Sequence, residues 1–229
     1  MKIGALQKFS LIDYPGKISA VVFTQGCNFR CPYCHNPELV DPELFDEPVG
    51  EEEIFSFLET RIGKLDAVVI TGGEPTIHKD LIGFVENIKS LGFLVKIDSN
   101  GSQPQVLREL VRSRLVDYIA MDVKAPLEKY GEVTRTVVDE KKIEEGIGVI
   151  MDSKIGYEFR TTVLKSFFTR DDIIEIAKLI QGARRYVIQT FVTGKTLDRS
   201  LINLMSYPEQ ELATIKVETE RHVTECSIR

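Results

Sequence analysis

Three cysteines fall within eight residues of the 229-residue chain, in the run Gly26-Cys27-Asn28-Phe29-Arg30-Cys31-Pro32-Tyr33-Cys34-His35-Asn36. Spacings of four and three let these thiols wrap one small centre from a single loop. Soft thiolates at this density select zinc or an iron–sulfur cluster. With three thiolates a cubane cluster keeps one iron free of protein, which is an open coordination site for a small molecule. A closed zinc knuckle is the competing reading, with Cys27, Cys31, Cys34 and either His35 or Cys226 as its four ligands. Cys31-Pro32-Tyr33-Cys34-His35 also matches the C-x-x-C-H haem attachment pattern. That attachment normally follows export, and Met1 to Lys8 carries no apolar segment with a small-residue cleavage site, so haem is set aside and a cytoplasmic protein is expected. In a reducing compartment the cysteines are expected as ligands or free thiols, not disulfides.

Further along, residues suited to holding a charged small molecule recur at intervals. Thr71-Gly72-Gly73-Glu74-Pro75 pairs two glycines, so a ligand can approach the backbone and exposed carbonyls can take an ammonium group; the plain alternative is a strand-to-helix turn. Asp98-Ser99-Asn100-Gly101 and Met121-Asp122-Val123-Lys124 offer a carboxylate for ribose hydroxyls and a lysine for a carboxylate, or else a surface ion pair. Arg160, in Glu158-Phe159-Arg160-Thr161-Thr162-Val163, is either a neutralised strand residue or part of an acidic network. Gln189 sits in Ile188-Gln189-Thr190-Phe191. His78 and His222 read as solvated, and Cys226 as a half-buried strand thiol.

The elements that must position these residues follow from the apolar pattern. Short β-branched runs alternate with longer amphipathic stretches, the sequence form of repeated βα units. Strands are predicted at Ile18–Thr24, Ala67–Thr71, Leu94–Asp98, Tyr118–Asp122, Glu158–Val163 and Tyr186–Val192, several of them apolar on both faces as in a buried parallel sheet. Helices are predicted at Glu51–Arg61, Leu81–Leu91, Pro104–Ser113, Glu140–Met151 and Arg170–Ile180. Acidic Glu51-Glu52-Glu53 favours the first helix start, and Gly92 and Gly182 are candidate C-caps. A last helix, Pro208–Arg221, leads to a short strand, Val223–Ile228. Pro32–Val49, with four prolines, reads as a loop near the chemistry. With no linker or repeat in between, residues 1–229 read as a single α/β domain, a partial (β/α)6-type barrel of parallel strands with its core at about 18–192. Candidate residues then fall just after strands, at the carboxyl ends where such sheets bind ligands.

Composition narrows the partners. Hydrophobic residues at 43% and charged residues at 28% are ordinary for a globular protein, and no apolar run approaches the roughly 18 residues a membrane span needs. A net charge of −6 supplies no global field for nucleic acid or anionic lipid.

The triad, with aromatic Tyr33 just before its third cysteine and placed after the first strand of a βα array, resembles the radical S-adenosylmethionine superfamily. That resemblance implies that Cys27, Cys31 and Cys34 carry one 4Fe–4S cluster, and that S-adenosyl-L-methionine chelates the fourth iron through its amino and carboxylate groups. It implies Tyr33 beside the adenine and Gly72, Gly73 and Glu74 in the methionine-binding segment. Asp98–Gly101 and Met121–Lys124 are similar to segments of glycyl-radical-enzyme activases. The likeness implies that Asp98, Ser99, Asn100 and Asp122 lie near the ribose, that Lys124 meets the methionine carboxylate, and that Asp98, Ser99, Met121 and Asp122 surround a monovalent cation. Arg160 would join that group, and Gln189 replaces a histidine that some activases present to the ribose.

Gln7-Lys8-Phe9-Ser10-Leu11-Ile12-Asp13-Tyr14-Pro15-Gly16-Lys17, running into Phe23-Thr24-Gln25-Gly26-Cys27, resembles the activase N-terminal signature, best that of anaerobic ribonucleoside-triphosphate reductase activating proteins. No further cysteine lies between Cys34 and Gly72, so the extra cluster insert of several other activases is absent. The resemblance implies one-electron cleavage of the cofactor to methionine and a 5′-deoxyadenosyl radical, which takes hydrogen from a glycine Cα of a partner enzyme. It also implies a low-potential electron donor. An activase for another glycyl-radical enzyme, a radical enzyme acting on a small molecule or RNA, and a zinc-stabilised interaction module remain the alternatives.

Overall fold

A computed structural model describes residues 1–204 and 206–229. Eight strands form one sheet whose spatial order is the order of the chain. They are β1 (Ile3–Ser10), β2 (Ser19–Thr24), β3 (Ala67–Gly72), β4 (Leu94–Ser99), β5 (Tyr118–Asp122), β6 (Gly156–Val163), β7 (Tyr186–Thr190) and β8 (Cys226–Ile228). Strands β2 to β8 pair in parallel, and β1 lies antiparallel on β2. The helices are α1 (Pro37–Val40), α2 (Glu51–Glu59), α3 (Leu81–Ser90), α4 (Pro104–Arg112), α5 (Tyr130–Thr134), α6 (Glu140–Met151), α7 (Arg170–Leu179) and α8 (Glu209–Thr219). The partial barrel expected from the sequence is present, with one antiparallel strand added.

Three corrections have local causes. β1 escaped the pattern because only its ends, Ile3 and Ser10, are buried, so no period of two marks it. β7 stops at Thr190, leaving Phe191 and Val192 in the following loop, and β8 begins only at Cys226. The stretch from Pro32 to Val49 is not wholly loop: α1 and a 3-10 turn at Pro42–Leu44 begin at prolines, whose fixed φ suits a first helical position.

The helix ends follow their caps. Thr169 and Asp172 form a reciprocal capping box at the start of α7. Gly92 and Gly182 take φ +88° and +86° past α3 and α7, the left-handed geometry that favours glycine. Outward strand residues such as Val95, Ile97, Ile119 and Phe159 pack with Phe84, Ile88, Leu110 and Ile147 of the helices in one core. The inner face differs from the expectation of apolar strands: β4 turns Lys96 and Asp98 inward, and β6 turns Glu158, Arg160 and Thr162 inward. A small cluster of Tyr14, Val21, Ala67 and Val69 stands apart from the main core. The chemistry therefore lines the inside of the sheet at the strand C-termini.

Candidate active site

The cysteine loop leaves β2 at Thr24 and is pinned at once. Gly26, at φ +100°, donates its N–H to Leu39 O at 2.8 Å and accepts from Glu74 N at 2.8 Å. Cys27, Cys31 and Cys34 are free thiols lining one cavity of about 260 Å³. Burial, with Glu74 close by, pushes the Cys27 thiol up to about 12, and burial pushes Cys31 up to about 11. The Cys34 thiol is raised as well, again chiefly by burial. Tyr33 is buried against Phe167 with ring centroids 6.0 Å apart, and its hydroxyl has no hydrogen-bond partner among the described residues. A buried, orphaned hydroxyl beside three thiols is a donor set that fits a soft metal centre with a polar ligand next to it.

The paired glycines serve the protein first. A Cβ on Gly73 would stand 2.0 Å from Gly26 O, and one on Gly72, at φ +109°, would stand 2.5 Å from Thr24 N. The backbone that approaches so closely is the root of the cysteine loop, although both glycines also line the cavity. Glu74 is buried, and its carboxylate accepts from Thr76 N at 3.1 Å, Ser99 Oγ at 2.8 Å and Asn100 N at 2.6 Å. Burial nevertheless raises its pKa above the ordinary carboxylate value against those donors. Asn100 Nδ2 donates to Asn28 Oδ1 at 2.9 Å, and Asn28 Nδ2 donates to Ser102 Oγ at 2.8 Å. The Glu74 backbone N–H on Gly26 O and the Asn100 side chain on Asn28 thus tie the ends of β3 and β4 to the cysteine loop, and both residues also line the cavity.

Deeper in the sheet, five charges alternate. Lys96 binds Asp98; Arg160 donates to Asp98 Oδ2 at 3.0 Å and to Asp122 Oδ1 at 2.8 Å; Lys124 donates to Asp122 Oδ2 at 3.0 Å. Burial would raise both carboxyls, but Arg160 with Lys96 and Lys124 holds Asp98 and Asp122 below the ordinary range. Burial would lower Lys124, yet Asp122 and Cys31 keep it well above its usual value. Of these five, Asp98, Asp122, Arg160 and Lys124 line the cavity, together with Glu74.

All the expected site residues line this cavity except Met121: Tyr33, Gly72, Gly73, Glu74, Asp98, Ser99, Asn100, Asp122, Lys124, Arg160 and Gln189 join the thiols. Met121 is buried beneath Gly101, where a Cβ would meet its Cε at 2.0 Å. Its side chain therefore does not line the cavity, and Asp98 and Asp122 pair with Lys96, Arg160 and Lys124. The sequence reading missed Thr162, which lines the cavity, and Lys96, which is 1% exposed. Both stand two residues from a recognised charge, on the same face of their strand, and that period was the available signal.

Of the candidate fourth zinc ligands, His35 lines the cavity with its ring nitrogen engaged, and Cys226 lies outside it. His35 stacks on Phe191 at 5.2 Å with Nε2 2.9 Å from Val192 O. Cys226 is 4% exposed, fully buried where a half-buried thiol was expected, and accepts from Thr219 Oγ1 at 3.1 Å. Among the described residues no three His, Cys, Asp or Glu side chains converge as a single ion requires. A cluster asks for no such convergence, because each thiolate takes a different iron. His78 and His222 are half-buried, not solvated, and among the described residues no partner meets the His78 Nε2.

Comparisons with known proteins fit this geometry. A family model described as the radical SAM superfamily matches residues 21–196. A Methanocaldococcus jannaschii protein, whose name assigns it to glycyl-radical enzyme activation, is 36% identical over 232 residues, covering 99% of this chain and 95% of its own. The pyruvate formate-lyase-activating enzyme of Listeria monocytogenes is 32% identical over 138 residues, covering 54% of this chain and 53% of that enzyme. Streptococcus suis SuiB, solved bound to S-adenosylmethionine, superposes with a TM-score of 0.64 at 15% identity over 91% of this chain. That likeness concerns the fold, and the chain spans about half of SuiB, 49%. No helix among the described residues is long and apolar enough to cross a membrane.

Proposed function

The chain belongs to the radical SAM superfamily, and from that membership we propose that it activates a glycyl-radical enzyme, with anaerobic ribonucleoside-triphosphate reductase as the partner. The observation that carries the activase reading is the whole-length match to a relative named for that activity. The finer choice of partner rests on the likeness of Gln7–Lys17 to the activators of that reductase and on the lack of further cysteines between Cys34 and Gly72. We read residues 1–229 as one domain, since Ile3 near one end and Cys226 near the other share a core. A reducing cytoplasm suits its free thiols.

Members of the family use a 4Fe–4S cluster and S-adenosyl-L-methionine, which when bound together supply one-electron cleavage of the cofactor and a carbon radical able to take hydrogen from a glycine. In this chain Cys27, Cys31 and Cys34 would hold the cluster. The orphaned Tyr33 hydroxyl and the cavity wall at Gly72 and Gly73 would meet the cofactor. Lys124, kept charged by Asp122, would take its carboxylate, while Asp98, Ser99, Arg160 and Gln189 border the remaining space. No side chain need act as a general base. These residues orient the cofactor and exclude water, and the partner's glycine must reach the strand C-termini on a flexible segment.

The test is anaerobic reconstitution with iron and sulfide, reduction with dithionite, and assay of 5′-deoxyadenosine beside a Cys27→Ala control. Cleavage by the intact protein alone is expected, followed by a glycyl-radical signal on added anaerobic reductase. Cleavage with a radical on pyruvate formate-lyase instead would move the partner to that enzyme, as the Listeria relative suggests. Stoichiometric zinc with no cleavage would overturn the enzyme reading.

A further inference from the structure

One cation sits on the cysteine loop without a carboxylate to balance it. Arg30, half-buried between Cys27 and Cys31, uses a single Nη1 to donate to Cys27 O at 2.6 Å and to Phe29 O at 2.8 Å. Its backbone N–H donates to Thr134 O at 2.8 Å, which ties the same span to the end of α5. Among the described residues Arg30 enters no salt bridge. The neighbouring cations differ: Lys124 is 3.0 Å from Asp122, and Lys195 is 2.6 Å from Glu38. Carbonyl dipoles hold a guanidinium in place without cancelling its charge.

We infer that Arg30 is a positioning residue that staples the Cys27–Cys31 span and, through its unpaired charge, raises the reduction potential of the cluster that this loop would hold. The inference rests on the cluster-binding reading above. Three thiolates give such a centre negative charge, and reduction adds one more electron. A fixed cation beside it therefore stabilises the reduced form more than the oxidised form, and partial burial limits screening by salt. Lysine would keep the charge but lose the planar fork, whereas glutamine would keep an amide donor and lose the charge.

The experiment compares wild type, Arg30→Gln and Arg30→Lys, each loaded anaerobically with iron and sulfide. Dithionite delivers one electron per cluster with no bond change, and electron paramagnetic resonance follows the reduced form without S-adenosylmethionine. The midpoint potential of R30Q is expected to move to more negative values, with R30K close to wild type. An unchanged midpoint in R30Q overturns the inference. Should R30Q fail to keep its cluster, retention by R30K would uphold the role of the charge, and failure of both would overturn it in favour of loop folding alone. A wild-type protein that takes zinc and no cluster fails the family-based reading instead, so the two failures are distinguishable.

Discussion

At the residue scale, the three loop thiols are neutral before anything binds them. Burial holds Cys27 at about 12 and Cys31 at about 11, so loading a metal centre must release their protons. Reconstitution is expected to quicken as pH rises from about 7 to about 9, with proton release measured in weakly buffered solution. Release of less than one proton per thiol would contradict the buried, protonated state. Cys226→Ala should leave iron content unchanged, because that thiol is buried beside Thr219 and lines no part of the cavity. Gly73→Ala would drive a methyl to within 2.0 Å of Gly26 O, and neither backbone can give way without moving the cysteine loop. A loss of at least about 2 kcal/mol in urea unfolding is expected, together with weaker cluster retention.

At the scale of elements, the strand ends act through charges two residues apart. Removing Arg160 leaves Asp98 and Asp122 facing each other with only the outer lysines to offset them. Arg160→Met is expected to cost about 3–5 kcal/mol, because breaking a buried pair from one side strands the other charge. The pH dependence carries the sign of depressed carboxyls. Stability from Asp98 and Asp122 is complete above the unfolded carboxylate value of about 3.9 and is lost as pH falls through their lower folded values. Acid unfolding monitored by circular dichroism should therefore steepen below about pH 4, and Asp122→Asn should flatten that limb.

Across the whole molecule, apolar side chains stand exposed on the connections between strands: Val137 at 103% between α5 and α6, Val192 at 67% after β7, and Leu44 at 43% at the end of the 3-10 turn. Val192 adjoins the cavity through His35, and Val137 lies on the segment that follows the cysteine-loop contact of Thr134, which makes both candidates for the surface that meets a partner's glycine segment. The paired substitution Val137→Asp with Val192→Asp should change unfolding free energy by less than about 0.5 kcal/mol, since neither side chain is packed. It should weaken binding to the glycyl-radical partner about tenfold or more by titration calorimetry, a loss of about 1.4 kcal/mol. Unchanged affinity after this change, and after charge reversal around the same rim, would place the docking surface elsewhere.

Much of this was legible in the residues. The spacing of Cys27, Cys31 and Cys34 determined a soft three-ligand centre, and Gly72-Gly73 and the Asp98, Asp122 and Lys124 segments marked the strand ends around it, because parallel βα units gather such ends at one rim. Buried apolar strands announced themselves from β2 to β7. The edge strand β1 did not, since only its two ends are buried and no alternation marks it. What the tertiary structure alone decided is which polar side chains face each other across strands. Glu74 binds the end of β4 at Ser99 and Asn100, Asn100 binds Asn28 of the cysteine loop, Met121 turns beneath Gly101, and Lys96 neutralises Asp98 from within the sheet. Strand register and facing set those distances, and both depend on contacts between residues far apart in the chain, which local spacing does not encode.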